Sequence, residues 1–175
     1  MSVLKYGDRV QLSDSKGNKH TIVLVEEGSF HTHRGVIDHG DIVGKIEGSF
    51  VTSSNGTNYL MMRPLLLDHI LAMPRGAAVI YPRDSGQILI EAGIFPGAVV
   101  VEAGVGSGGL SSYLLRAIGS GGHLHSYERR VDFATTAQKN VAAFVGYEPD
   151  NWKVHVGDFN QALEIAPALE GAVDR

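Results

Sequence analysis

Short runs of alternating apolar and polar residues occupy the first part of the chain. Residues 4–12 and 20–26 have the composition of β-strands, and the residues between them, 14–18, are rich in turn formers. Asn55-Gly56 separates two further apolar runs and is typical of a type I′ hairpin turn, in which both central residues have positive φ. The pattern predicts a small β domain, a barrel or sandwich, over about residues 1–63.

The spacing of apolar residues changes near residue 64 to that of alternating helices and strands. Residues 64–72 predict a short helix. Asp84-Ser85-Gly86-Gln87 resembles a capping box, which predicts that a second helix starts there and ends near Gly93. We assign residues 64–97 to a helical linker that leads into a second domain.

The second predicted domain, residues 98–175, alternates regularly between strand and helix patterns. Its predicted elements, in order, are a strand at 98–102, a helix at 110–118, a strand at 123–127, a helix at 132–145 and a strand at 152–156. This order implies right-handed crossovers and a parallel sheet. The predicted fold class is therefore α/β, with an incomplete Rossmann-like domain preceded by a small β-rich domain.

Composition and charge narrow the class of protein. The chain has 43% hydrophobic and 19% charged residues, no cysteine, and no apolar run near the roughly 20 residues that span a bilayer. We expect a non-membrane protein of the cytoplasm. The net charge of −4 argues mildly against a dedicated nucleic-acid binder, although a local basic patch or a partner subunit would be sufficient for binding.

A glycine-rich segment follows the first strand of the second domain, where doubly wound sheets bind nucleotides. Glycine lets the backbone turn sharply and approach a ligand without a Cβ in the way. Gly104, Gly106 and Gly109 fit the dinucleotide pattern G-x-G-x-x-G. Gly104, Gly106 and Gly108 fit the methyltransferase pattern G-x-G-x-G, so the glycines alone leave the ligand open.

Polar residues beside this segment help to choose between the ligands. Glu102 would repel a pyrophosphate but attract S-adenosylmethionine, which carries an ammonium and a sulfonium. Glu128 closes the second strand, where it would accept from ribose hydroxyls or be a solvated strand end. Asp158 follows the third strand, where it would accept from an adenine amino group or cap a helix. Gln87 fits a capping role as well as a ligand contact.

Several linked motifs resemble one family of enzymes. They are Ser29-Phe30-His31-Thr32-His33-Arg34-Gly35, Ile42-Val43-Gly44, Tyr81-Pro82-Arg83-Asp84, Ile94-Phe95-Pro96-Gly97 and Glu102-Ala103-Gly104-Val105-Gly106-Ser107-Gly108. In order and spelling the chain resembles the bacterial and archaeal tRNA (adenine-N1)-methyltransferases that act on position 58 of the T-loop. The resemblance implies S-adenosylmethionine as cofactor, tRNA as substrate, a Rossmann-like methyltransferase domain behind a β-rich domain, and a homotetramer.

The resemblance also implies contacts to the methyl donor at Gln87, in the glycine segment, at Glu128, near Phe133 and at Asp158. With the residues singled out above, the predicted cofactor-binding set is Gln87, Glu102, Gly104, Gly106, Ser107, Gly108, Gly109, Leu110, Glu128, Phe133 and Asp158. Phe133 begins a helix where a side chain can cover the adenosine, although its spacing suits a core residue equally well.

The catalytic residue is left unassigned. In the family, a strand that ends in an aspartate near the target adenine follows soon after the segment that here reads Val173-Asp174-Arg175. We expect this aspartate and the remaining strands of the sheet to lie beyond Arg175. We therefore expect that the chain does not methylate tRNA alone.

Other functions stay open at the level of the sequence. A nicotinamide-dependent oxidoreductase would use the same glycine segment, and so would a noncatalytic donor-binding or assembly module. His31, His33 and His39, with Asp38 and Asp41, offer metal ligands within eleven positions. Because the same stretch belongs to the family pattern without implying a metal, we predict no metal site.

Overall fold

The computed structural model describes residues 3–175, whose contacts divide the chain into two compact units. The first unit ends at Leu65, and the second comprises Leu66–Arg175. Each unit has a buried apolar core of its own. No helix among the described residues has both the length and the apolar character needed to cross a membrane.

The first unit is built from six short antiparallel strands. They are β1 (Arg9–Ser13), β2 (Lys19–Val23), β3 (Ser29–Thr32), β4 (Gly35–Asp38), β5 (Phe50–Thr52) and β6 (Asn58–Met62). Four strands form a sheet in the order β2-β1-β6-β5, and β3 and β4 form a separate hairpin. Ile37 of this hairpin is buried with Leu12 and Met61 of the sheet. The predicted β-rich region is confirmed as two layers around one core, and a closed barrel does not form.

The turn between β5 and β6 differs from the prediction. Thr52 pairs with Asn58, so the loop has five residues, 53–57. Gly56 has φ +80°, but Asn55 does not share the positive φ that a type I′ turn requires, since Glu27 alone among the described non-glycine residues has one. Ser53 shapes this loop, because its Oγ accepts from the Thr57 amide at 3.2 Å, while its amide donates to the Thr57 carbonyl at 2.9 Å and its carbonyl accepts from the Gly56 amide at 2.9 Å.

The second unit alternates helices with a parallel sheet. Its elements are α1 (Leu66–Ala72), α2 (Pro82–Glu91), β7 (Val99–Ala103), α3 (Gly109–Ile118), β8 (His123–Glu128), α4 (Val131–Val145), β9 (Trp152–Val156) and α5 (Ala162–Ile165). The sheet has the order β7-β8-β9, and both pairings are parallel. On the other edge of β7, the Val101 amide donates to the Arg175 carbonyl at 2.9 Å. The predicted α/β class is confirmed.

One face of the parallel sheet carries the core of this unit. Strand alternation places Val100, Leu124 and Trp152 on that face, and all three are buried. They belong to one cluster with residues of the covering helices, namely Leu114, Ile118, Ala137 and Val141. The packing therefore fixes the carboxyl ends of β7 and β8 relative to the start of α3.

Helix α2 begins before the predicted capping box. Its first residue is Pro82, and Tyr81 is the N-cap without a side-chain cap bond. Proline is favoured at the first helical position because its missing N–H is not needed there and its φ is already helical. The capping role of Asp84 is therefore wrong. Gln87 instead donates to Glu91 Oε1 at 2.8 Å along the exposed side of the helix.

Candidate functional site

The glycine segment forms the connection from β7 to α3, and we call residues 104–109 the glycine loop. Gly104, Gly106 and Gly108 have φ values of +86°, +54° and +83°, which side chains with a Cβ rarely adopt. The Gly104 amide donates to the Tyr127 carbonyl at 2.8 Å, which anchors the loop to β8. The loop thus turns sharply at the carboxyl end of β7, as the sequence predicted.

The glycines of the loop meet different surroundings. A Cβ at Gly108 would lie 3.2 Å from Ala137 Cα, and a Cβ at Gly109 would lie 2.7 Å from Val79 Cγ2. These two positions favour glycine because other residues of the second unit pack closely against them. A Cβ at Gly104 would meet nothing within 4 Å among the described residues. Gly104 therefore borders open space.

A segment that the sequence did not single out lies against the glycine loop. We call residues 74–79 the covering segment. Ser107 Oγ donates to the Ala77 carbonyl at 3.3 Å, and the Asn140 side-chain amide donates to the carbonyls of both Pro74 and Ser107 at 2.9 Å. Asn140 is buried inside α4, where asparagine is intrinsically unfavourable. An asparagine within a predicted helix was therefore the sequence feature that could have indicated these contacts.

Glu102 is buried directly before the loop. Its Oε2 accepts hydrogen bonds from Ser111 Oγ at 2.6 Å and Ser126 Oγ at 2.8 Å. Burial raises the pKa of the Glu102 carboxyl to about 7, against the lowering effect of these two hydroxyls. The alternation of side chains along the strand could have indicated this burial, because Glu102 lies on the same covered face of β7 as Val100.

Glu128 closes β8 beside the glycine loop. Its Oε2 accepts from the Gly106 amide at 3.2 Å, and its Oε1 accepts from the Arg130 amide at 3.0 Å. The side chain is half-buried. The structure therefore brings the carboxylate of Glu128 into direct contact with the loop, which is more than a solvated strand end would show.

The other predicted residues have mainly structural contacts. Asp158 caps the 3-10 turn Phe159–Gln161 through a 2.9 Å bond from the Asn160 amide, and this bond and Arg129 lower its pKa. Phe133 lies beneath the Arg130 guanidinium at 3.8 Å. Leu110 packs against the core of the second unit. Gln87 donates to Glu91 and not to the glycine loop.

The histidines of the first unit are held by local hydrogen bonds. His39 is buried, and its Nδ1 accepts from the Val25 amide at 3.0 Å. His31 Nε2 lies 2.9 Å from Ser29 Oγ, and His33 Nε2 accepts from Arg34 Nε at 3.2 Å. Over residues 3–175, no three histidine, aspartate or glutamate side chains are grouped so that they could hold a metal ion.

The parallel sheet, its crossover helices and the glycine loop define the second unit as a Rossmann-like α/β domain. Two family models match the chain: "TrmI-like N-terminal" over residues 3–51, and "tRNA methyltransferase complex GCD14 subunit" over residues 58–156. The chain belongs to this tRNA methyltransferase family. The match does not favour the nicotinamide-dependent oxidoreductase.

Curated relatives that are named as tRNA (adenine-N1)-methyltransferases support this placement. A tRNA (adenine(58)-N(1))-methyltransferase of Thermus thermophilus is 35% identical over 91% of this chain and 62% of its own length. A tRNA (adenine(57)-N(1)/adenine(58)-N(1))-methyltransferase of Methanocaldococcus jannaschii is 36% identical over 74% of this chain and 45% of its own. The chain thus spans about half to three fifths of the length of these relatives.

Two solved structures agree over most of the chain. A SAM-dependent O-methyltransferase of Thermotoga maritima matches with a TM-score of 0.84 and 32% identity, covering 91% of this chain and 59% of that one. The tRNA (m1A58) methyltransferase TrmI of Aquifex aeolicus matches with a TM-score of 0.77 and 29% identity, covering 91% and 60%. Since the first is named an O-methyltransferase and the second modifies N1 of an adenine, the shared fold does not by itself identify the acceptor atom.

Proposed function

We propose that this chain forms the donor-binding part of an S-adenosylmethionine-dependent enzyme that methylates N1 of adenine 58 in tRNA. Family membership and the names of the curated relatives support the reaction and the substrate. The observation that carries the proposal is the contact between the glycine loop and Glu128, with Glu102 buried beneath the same loop. Glycines and two carboxyl groups are thereby gathered at the carboxyl ends of adjacent parallel strands.

The residues present fit this methyl donor. Gly104 leaves open space at the loop, as a ligand that approaches the backbone closely requires. Glu128 is placed at a strand end where a carboxylate can accept from both ribose hydroxyls. Glu102 supplies an acid for a ligand that carries positive charge. We keep the full predicted set, including Gln87, Phe133 and Asp158, as the proposed donor contacts.

The proposed chemistry is a direct displacement. The bound donor supplies an electrophilic methyl group on a sulfonium. The lone pair of adenine N1 forms the new N–C bond while the C–S bond breaks, and its electron pair stays on sulfur, which leaves S-adenosylhomocysteine. Because the nucleophile is neutral and already competent, positioning contributes more than base catalysis. The target base must be turned out of its stack to reach the pocket. The chain's role in this scheme is to orient the donor.

The assembly and location that we propose follow the family resemblance. We propose a homotetramer in the cytoplasm that acts on tRNA. Because the chain carries a net charge of −4, binding of tRNA would depend on a local basic patch and not on the overall charge. Light scattering of the protein with and without tRNA measures both the subunit number and the complex.

Donor binding is the direct test. S-adenosylhomocysteine should raise the melting temperature of the protein, and NADH should not. The reverse result would favour the oxidoreductase. Methyl transfer is then assayed with isotope-labelled donor and unmodified tRNA, with a matched transcript in which adenine 58 is replaced by guanosine. Label at N1 of that adenine is expected from a protein extended to the length of the relatives and not from residues 1–175 alone, and label on another atom or in the replaced transcript would contradict the proposed regiochemistry.

A further inference from the structure

A chain of buried hydrogen bonds lies beneath the glycine loop and ends on Glu102. Trp152 Nε1 donates to Ser126 Oγ at 2.8 Å. Since the indole already occupies an acceptor site of this hydroxyl, the Ser126 proton is directed to Glu102 Oε2, 2.8 Å away. Ser111 Oγ donates to the same oxygen from α3 at 2.6 Å. Three elements, α3, β8 and β9, thus fix one oxygen of one carboxyl group.

The network uses the two oxygens of Glu102 unequally. Oε2 accepts both hydroxyls, whereas Oε1 has no hydrogen bond from any of residues 3–175. Among residues 3–175, the side chains that donate hydrogen bonds to the carboxyl are those of Ser111 and Ser126, and Trp152 donates to Ser126; none of the three carries a charge. Glu128, the next acid on this face of β8, is bonded to the loop instead. Without a cation to balance it, the buried carboxyl holds its proton up to a pH of about 7.

We propose that Ser111 and Ser126 are positioning residues, which hold one oxygen of Glu102 and leave the other for the cationic methyl donor, so that donor binding expels a proton from this carboxyl group. The proposal rests on the proposed function, because the donor's ammonium and sulfonium supply the missing positive charge. When the donor binds, the O–H bond at Glu102 breaks, the electron pair stays on the carboxylate and the proton passes to solvent. Donor affinity then rises with pH until Glu102 is already ionised.

Titration calorimetry with S-adenosylmethionine tests this coupling. At pH 7, the observed enthalpy is measured in buffers of different ionisation enthalpy, and the slope gives the protons released. About half a proton per bound donor is expected from wild type, because the carboxyl is half protonated there. Release should fall toward zero at pH 8.5. Glu102→Gln, which keeps the shape and an acceptor oxygen, should release none at either pH.

The positioning roles of Ser111 and Ser126 are tested by measuring, in each variant, the pH at which proton release is half-maximal. Ser126→Ala and Ser111→Ala each remove a donor to the ionised carboxylate and should raise that pH by about one pH unit. Ser112→Ala is the matched control, because Ser112 is buried on the same helix but donates to the Gly108 carbonyl at 2.7 Å. Equal shifts in all three variants, or release that persists in Glu102→Gln, would overturn the proposal. Wild type that shows no saturable donor binding would instead contradict the proposed function.

Discussion

Glu128 accepts hydrogen bonds from two backbone amides, those of Gly106 and Arg130. Its carboxylate is therefore both part of the loop's support and available at the site. We expect Glu128→Ala to weaken donor binding by roughly 1–3 kcal/mol, the scale of hydrogen bonds to a charged group. Calorimetric titration with S-adenosylmethionine measures this loss. Glu170→Ala removes one exposed carboxylate from the same unit and serves as the control for net charge, and equal affinities in the two variants would remove the assignment of Glu128.

Glu102 should destabilise the free protein at alkaline pH. In the folded state the pKa of Glu102 is raised from 4.5 to about 7, so the folded state favours the protonated carboxyl. Its contribution to the free energy of unfolding is therefore full below pH 4.5 and is lost as pH rises through 7. We expect Glu102→Gln to raise the free energy of unfolding by about 1–2 kcal/mol at pH 8 and to change it little at pH 5. Denaturant titrations at the two pH values measure the difference. A gain that is equal at both values would mean that ionisation is not the cause.

At the scale of elements, the alternation of strands and helices was readable because β7 carries a compact apolar run, β9 alternates apolar with polar residues, and the helices between the strands have a 3.6-residue spacing. The start of α2 could not be predicted in this way, because the helix begins at Pro82 and not at the capping-box pattern around Asp84. The covering segment was missed for a different reason. Its bonds join Pro74 to Asn140, 66 positions apart, and no local pattern reports such a contact.

Asn140 connects α4, the covering segment and the glycine loop, so its replacement should affect all three. Asn140→Ala leaves the carbonyls of Pro74 and Ser107 without their shared donor, and we expect a loss of about 2–3 kcal/mol in unfolding free energy. Donor affinity should fall as well, because Ser107 lies within the loop. Lys139→Ala changes the neighbouring exposed position of the same helix and should be nearly neutral. Both variants are compared by thermal melting and calorimetry, and a neutral Asn140→Ala would refute the connection.

At the scale of the whole molecule, the sequence predicted which residues come together at the candidate site, but it did not predict the raised pKa of Glu102. The order of strands placed the glycine loop and Glu128 together, because carboxyl ends of parallel strands meet at one edge. The cost of burying Glu102 depends on Ser111, Ser126 and Trp152, which come from three other elements. That environment exists only after the chain has packed, so the raised pKa could not be read from the glycine pattern.

A second set of groups gives stability the opposite dependence on pH. His125 Nδ1 and His155 Nε2 lie 3.0 Å apart on the sheet face away from the core, and His155 stacks on Tyr127. Burial lowers the pKa of both histidines, and the charges of His155 and Lys153 lower that of His125 further. The folded state therefore favours the neutral rings: the benefit is full above pH 6.5 and is lost as pH falls through the lowered values.

In the Glu102→Gln background, which removes the opposing contribution of that carboxyl over the same pH range, the melting temperature should therefore fall on acidification, by roughly 3–6 °C between pH 7 and pH 5, through the second unit. His155→Phe keeps a ring to stack on Tyr127 but cannot be protonated, so it should flatten the acid limb of the curve. His33→Gln removes a histidine from the exposed β3–β4 turn of the first unit and is the matched control. Glu102→Gln removes the opposite dependence, which lies between pH 4.5 and 7, so the double variant with His155→Phe should vary with pH only through His125. If His155→Phe and His33→Gln alter the acid limb equally, the stacked pair is not its origin.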